Sequence, residues 1–124
     1  MANLDNIIDY MADNTIVEQG YDGSLWYYRK FANGFAECFA RFNPTAVNGT
    51  AQGSIYYHTY TVNSNYPFEF ISLPILIATP SGGSTGIVGD VNYNATKFIS
   101  YSTYRGNAGS VGSLVSVHVF GNWK

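Results

Sequence analysis

Asn33-Gly34 falls between two aromatic-rich runs, residues 24–31 and 35–42. An Asn-Gly pair flanked by apolar runs is a strong hairpin signal, because a type I′ turn needs φ > 0 at both central residues. A two-residue turn there sets the register. Lys30 then lies opposite Glu37, Tyr28 opposite Phe39 and Trp26 opposite Arg41, which puts a charge pair and an aromatic pair on one face. The other face carries Leu25, Tyr27, Phe31, Ala36, Cys38, Ala40 and Phe42, with Arg29 as its one charge, and is expected on the core.

The same pattern continues downstream. Strands are expected over residues 54–62, 68–70, 75–78, 87–93, 97–104 and 114–120, with loops at 43–53, 81–86 and 105–112. Val, Ile, Thr, Tyr and Phe fill the runs, and these residues suit a pleated, half-buried surface. The expected fold is all-β: an antiparallel β-sandwich of about seven or eight strands over residues 16–124, with residues 16–23 as a linker into the first strand. One domain fits a chain of 124 residues.

The first residues follow a different period. Leu4, Ile7, Ile8 and Met11 fall at i, i+3, i+4 and i+7, with Asp5, Asp9 and Asp13 on the opposite side. Asn3 suits an N-cap, and Asp5 suits the first turn. A short helix is expected over residues 1–15. Such a length is marginal in isolation, so as a helix the stripe must pack, either on its own domain or against copies of itself as an oligomerisation seam; disorder is the remaining alternative.

Charge and motif exclude several functions. The six Lys and Arg are scattered and the net charge is −2, so there is no basic face for nucleic acid. No apolar run is long enough for a membrane-spanning helix, and residues 1–5 lack the basic start of a secretory signal. Cys38 is the single cysteine; it reads as a small buried hydrophobe rather than a nucleophile. His58 and His118 have no ligand spacing for a metal within one chain, and no metal or cofactor is expected. A glycosidase needs two carboxylates across one cleft, and Glu18, Asp22, Glu37, Glu69 and Asp90 suggest no such pair, with Glu37 expected to bond Lys30. No Gly-x-Ser-x-Gly elbow occurs, and residues 81–86, although Gly- and Ser-rich, lack the Gly-Lys-Ser/Thr ending of a phosphate loop. No enzymatic activity is expected.

Three stretches carry a resemblance. Trp26-x-Tyr28-x-Lys30-x-x-x-Gly34-x-Ala36-Glu37, then Tyr66-Pro67-Phe68 through Pro74 and residues 75–79, then Val117-His118-Val119-Phe120-Gly121-Asn122-Trp123-Lys124 together resemble small domains of phage tail fibres and upper-baseplate proteins. The resemblance implies a β-sandwich that trimerises at the distal tip of a tail appendage, meets other virion tail or head proteins, and touches a bacterial surface glycan or protein. It implies a virion location. It fixes no ligand-binding residue. A head-fibre, decoration or assembly component without a receptor is the structural alternative.

The ligand surface is therefore argued from residue chemistry. Tyr, Ser, Gly and Asn make adaptable binding surfaces, since rings give area at low entropic cost and short polar groups give hydrogen bonds. The chain has 11 Tyr and 13 Gly. Loops 81–86 and 105–112 flank strands that end in Tyr93 and Tyr104. Tyr104 and Arg105 are the leading candidates, followed by Asp90, Asn92 and Tyr93; the planar fork of Arg105 suits an acidic sugar.

Overall fold

The computed structural model describes residues 14–44, 47–83, 87–106, 110–111 and 113–124. In chain order the strands are β1 Ile16–Tyr21, β2 Tyr27–Phe31, β3 Phe35–Phe42, β4 Val47–Asn48, β5 Thr50–Gln52, β6 Ile55–Asn65, β7 Ile75–Gly83, β8 Ile87–Tyr93, β9 Lys97–Arg105, β10 Ser110–Val111 and β11 Ser113–Asn122. Nine of them form two antiparallel sheets, a five-stranded one ordered β1-β2-β3-β11-β7 and a four-stranded one ordered β5-β6-β9-β8; β10 and β4 form a short ribbon. The all-β expectation holds with a slightly higher strand count. The described residues contain no helix, and the helix expected over residues 1–15, with its stripe of Leu4, Ile7, Ile8 and Met11, falls on residues outside the described set apart from Asn14 and Thr15.

The core is built from inward rows of both sheets. Ala36, Cys38, Ala40, Phe42, Val115, Val117 and Val119 come from the five-stranded sheet, and Tyr60, Phe98 and Tyr101 from the four-stranded one. Trp26 is fully buried between them. Its ring meets Phe42 and Tyr66 edge-on at 5.8 and 5.4 Å, and its indole N–H donates to Ser64 Oγ at 2.9 Å. A buried indole needs such a partner. Cys38 is buried as expected, and burial pushes its thiol well above the usual range.

Phe98 and Tyr101 are three apart, so simple alternation would put them on opposite faces; both are fully buried. Register shifts between Thr61 and Ser64 of β6, and between Gly89 and Asn92 of β8, break the alternation. Asn63 and Asp90 sit there with φ of 46° and 48°, a region that Asn and Asp tolerate better than most residues.

Three expectations are corrected. Residues 16–21 are not a linker: they pair with β2 as an edge strand in which every residue is exposed, so no buried alternation marked them. Residues 68–70 form no strand; Phe70 is instead pinned in the core by its N–H to Ala95 O at 3.0 Å. Finally, the first hairpin is shifted by one residue. Lys30 pairs with Ala36, Arg29 with Glu37, Tyr28 with Cys38 and Tyr27 with Phe39. The loop has three residues, Ala32, Asn33 and Gly34, and only Gly34 has positive φ, at 97°. Asn33 contributes its side chain, accepting the Phe35 N–H at 2.9 Å. This is the three-residue hairpin with a left-handed glycine, and a one-residue slip exchanges the faces of the paired strand. On β3 the inward residues are those expected; on β2 Tyr27 turns outward while Tyr28 and Lys30 turn inward.

Candidate functional site

The slip creates a surface that the sequence concealed. Register pairs run Tyr21–Tyr27, Tyr27–Phe39, Phe39–His118 and His118–Ile77, one residue from each strand of the five-stranded sheet. Four of these side chains are substantially exposed: Tyr21 50%, Tyr27 53%, Phe39 40% and Ile77 49%. Tyr21 lies against Tyr27 at 4.7 Å between centroids, and Tyr27 stacks on Phe39 at 5.8 Å and 14°. Contiguous exposed apolar surface is a common feature of contact surfaces.

His118 does not continue the stack. Its Nε2 lies 3.1 Å from Glu37 Oε2, and its ring leans on Phe120 at 5.0 Å. Glu37 also holds Arg29 at 2.6 Å, so its partners are Arg29 and His118 rather than the expected Lys30. A groove of ≈ 460 Å³ lies between Phe39 and Ile77, with His118 in its lining. Arg41 and Thr79, the cross-strand neighbours of Ser116 on either side, form its polar side together with Ser116. The volume lies in the small-ligand range of roughly 300–1,000 Å³, and apolar walls with a few convergent polar groups are what ligand sites share.

The residues singled out from the sequence divide between two faces. Tyr104, Asp90 and Asn92 belong to the outer face of the four-stranded sheet. There the Tyr104 hydroxyl donates to Asp90 Oδ2, Asn92 Nδ2 donates to Ser100 Oγ at 3.2 Å, and Tyr104 stacks on Tyr57 at 6.2 Å. Gly89 permits this, because a Cβ there would lie 3.2 Å from the Tyr104 ring. Tyr93 packs against the core. Arg105 pairs with Tyr56 on β6, in the register that turns toward the interior, and so faces away from Tyr104. The five candidates therefore do not form one cluster.

The three stretches behind the resemblance do converge. Lys30 Nζ lies 5.3 Å from the Phe68 ring centroid and 5.1 Å from that of Trp123. It also bonds Glu18 at 3.1 Å. The Glu18 carboxyl is held below its usual range by the hydrogen bond from Lys30 first and the one from Tyr28 second. Trp123 donates its indole N–H to Phe31 O at 3.0 Å and its backbone N–H to Gly34 O at 2.8 Å. These residues clamp the end of β11 onto the first hairpin, a structural task.

No family model matches the chain, and no curated protein matches it. Among solved structures the chain has the fold of tail-fibre domains. An N-truncated R1-type pyocin tail fibre superposes with a TM-score of 0.53 at 19% identity, covering 97% of this chain and 94% of that one. A C-terminal fragment of the P. aeruginosa R1 pyocin fibre gives 0.52 at 20% identity, again over 97% of this chain; the match spans 31% of the fragment. At such identity the likeness establishes the fold.

Proposed function

We propose that this chain is a tail-fibre tip domain of a phage or phage-tail-like particle that recognises a bacterial surface glycan or protein. The observation that carries this reading is the exposed aromatic row with its groove, on a fold shared with pyocin tail fibres. A soluble domain gains nothing in stability from leaving four large apolar groups of one row in water, whereas a binding surface uses them. Assembly as a homotrimer, with Leu4, Ile7, Ile8 and Met11 as the seam, is part of the proposal, since fibres are built from closed rings of identical chains. So is contact with neighbouring tail proteins in a virion. The bound form carries no cofactor and performs no catalysis in this reading; Glu18, Asp22, Glu37 and Asp90 are each engaged in hydrogen bonds or ion pairs.

The test is binding of the labelled chain to a panel of bacterial strains, P. aeruginosa among them, with light scattering in parallel. Saturable binding to a subset of strains by a particle of three chains is the expected result. A particle that decorates no strain supports the purely structural virion role instead.

A further inference from the structure

We propose that the groove beside Phe39 binds an anionic sugar, with Arg41 holding the acid group. The inference rests on the recognition role just proposed and specifies its ligand class. Arg41 is exposed at the groove. No carboxylate lies within 4 Å of it among the described residues, whereas Arg29 and Lys30 have ion-pair partners. Glu37, the acid on the same face, is occupied by Arg29 and His118. The groove therefore presents an uncompensated guanidinium whose planar fork suits a carboxylate or phosphate.

The rest of the lining matches a pyranose. Phe39 and Ile77 offer apolar surface on one side, where a sugar's C–H face loses contact with water. Ser116 and Thr79 place two hydroxyls on the polar side beside Arg41, and each both donates and accepts. A ligand with one apolar face, a hydroxyl edge and one anionic group satisfies all three features. The role that the sequence suggested for Arg105 thus passes to Arg41, on the opposite sheet.

The experiment is an amide NMR titration of the whole chain with glucuronate, galacturonate, glucose 6-phosphate, glucose and galactose, with inorganic phosphate as a control. Acid sugars are expected to shift residues 39–41 and 116–118 and to bind about tenfold more tightly than the neutral sugars, the scale of one charge-assisted contact. Arg41→Gln should abolish that preference and leave neutral-sugar binding in place. Comparable affinity for glucuronate and glucose 6-phosphate indicates that any anionic group suffices; a difference names the preferred acid. Either outcome supports the proposal. Equal binding of acid and neutral sugars, a preference that survives Arg41→Gln, inorganic phosphate binding as tightly as the sugar acids, or no shift in the groove overturns it. A change in association state on Phe39→Ser overturns it in favour of an interface between copies. If the chain binds bacterial cells while no acid sugar enters the groove, the recognition role stands and this assignment falls.

Discussion

The two outer faces of the sandwich are built from different materials. The five-stranded face carries an aromatic and aliphatic row broken by one His and flanked by a cation and hydroxyls. The four-stranded face carries a polar network, in which Tyr104 bonds Asp90, Thr59 bonds Ser102 at 2.7 Å and Asn92 bonds Ser100, with Ile55 and Ile87 exposed at its margin rather than in a stacked row. On the second face the polar groups satisfy one another; on the first, the rings and Arg41 retain unused capacity. A surface whose groups are already paired has less to gain from a ligand, because each new bond replaces an existing one. Abundant Tyr, Ser and Asn therefore offer a ligand little unless their bonding capacity is free.

The comparison depends on the faces staying where they are, and the largest predicted effect is on what joins them. Trp26→Ala leaves a cavity between the sheets and frees Ser64; a loss of about 3–5 kcal/mol is expected, measured by chemical denaturation. Gly34→Val attacks the register itself. It places a β-branched residue at φ 97° with a Cβ 2.9 Å from the Lys124 carbonyl oxygen. A loss of about 1–3 kcal/mol is expected, and an unchanged melting temperature contradicts the three-residue turn.

A smaller effect tests the entry to β2. Asp22 Oδ1 accepts the backbone N–H groups of Ser24, Leu25 and Trp26 at 2.9–3.0 Å. Burial raises its carboxyl, but the backbone bonds outweigh that and hold it below the usual value. Because the folded value is the lower one, this stabilisation is present above the unfolded value of about 3.9 and fades as pH falls through the folded value. Asp22→Ala should cost about 1 kcal/mol at pH 7 and flatten that acid limb of the stability curve. The smallest effect belongs to the polar face. Tyr104→Phe removes an exposed hydrogen bond to Asp90 and should change stability by less than about 1 kcal/mol, read from the melting temperature.

The existence of the hairpin and the inward face of β3 were legible because an Asn-Gly turn and the alternation of Ala36, Cys38, Ala40 and Phe42 are local signals. The register was not, because Asn-Gly fits both a two-residue loop and the last two positions of a three-residue one. Charge did not separate the two either, since the shorter loop turns Arg29 to the core side and the longer one turns Lys30 there, where Phe68 and Trp123 receive it. β1 lacked any periodic signal, since an edge strand with no buried residue is defined only by its pairing. At the site, Tyr104 and Arg105 are adjacent in a strand, and adjacent side chains point to opposite faces. That rule alone separates them. The groove is assembled from β2, β3, β11 and β7, which lie far apart in the sequence, and no local pattern reveals that.

Recognition is proposed to belong to the five-stranded face. Its direct test is bacterial-cell binding by two paired variants that keep the parent's circular dichroism: Tyr27→Ser with Phe39→Ser, and Tyr57→Ser with Tyr104→Ser. The first pair should lose binding by a factor of about ten or more, the scale of truncating aromatic anchors, while the second stays near the parent. Loss confined to the Tyr57 and Tyr104 pair would overturn this assignment and move the site to the four-stranded face.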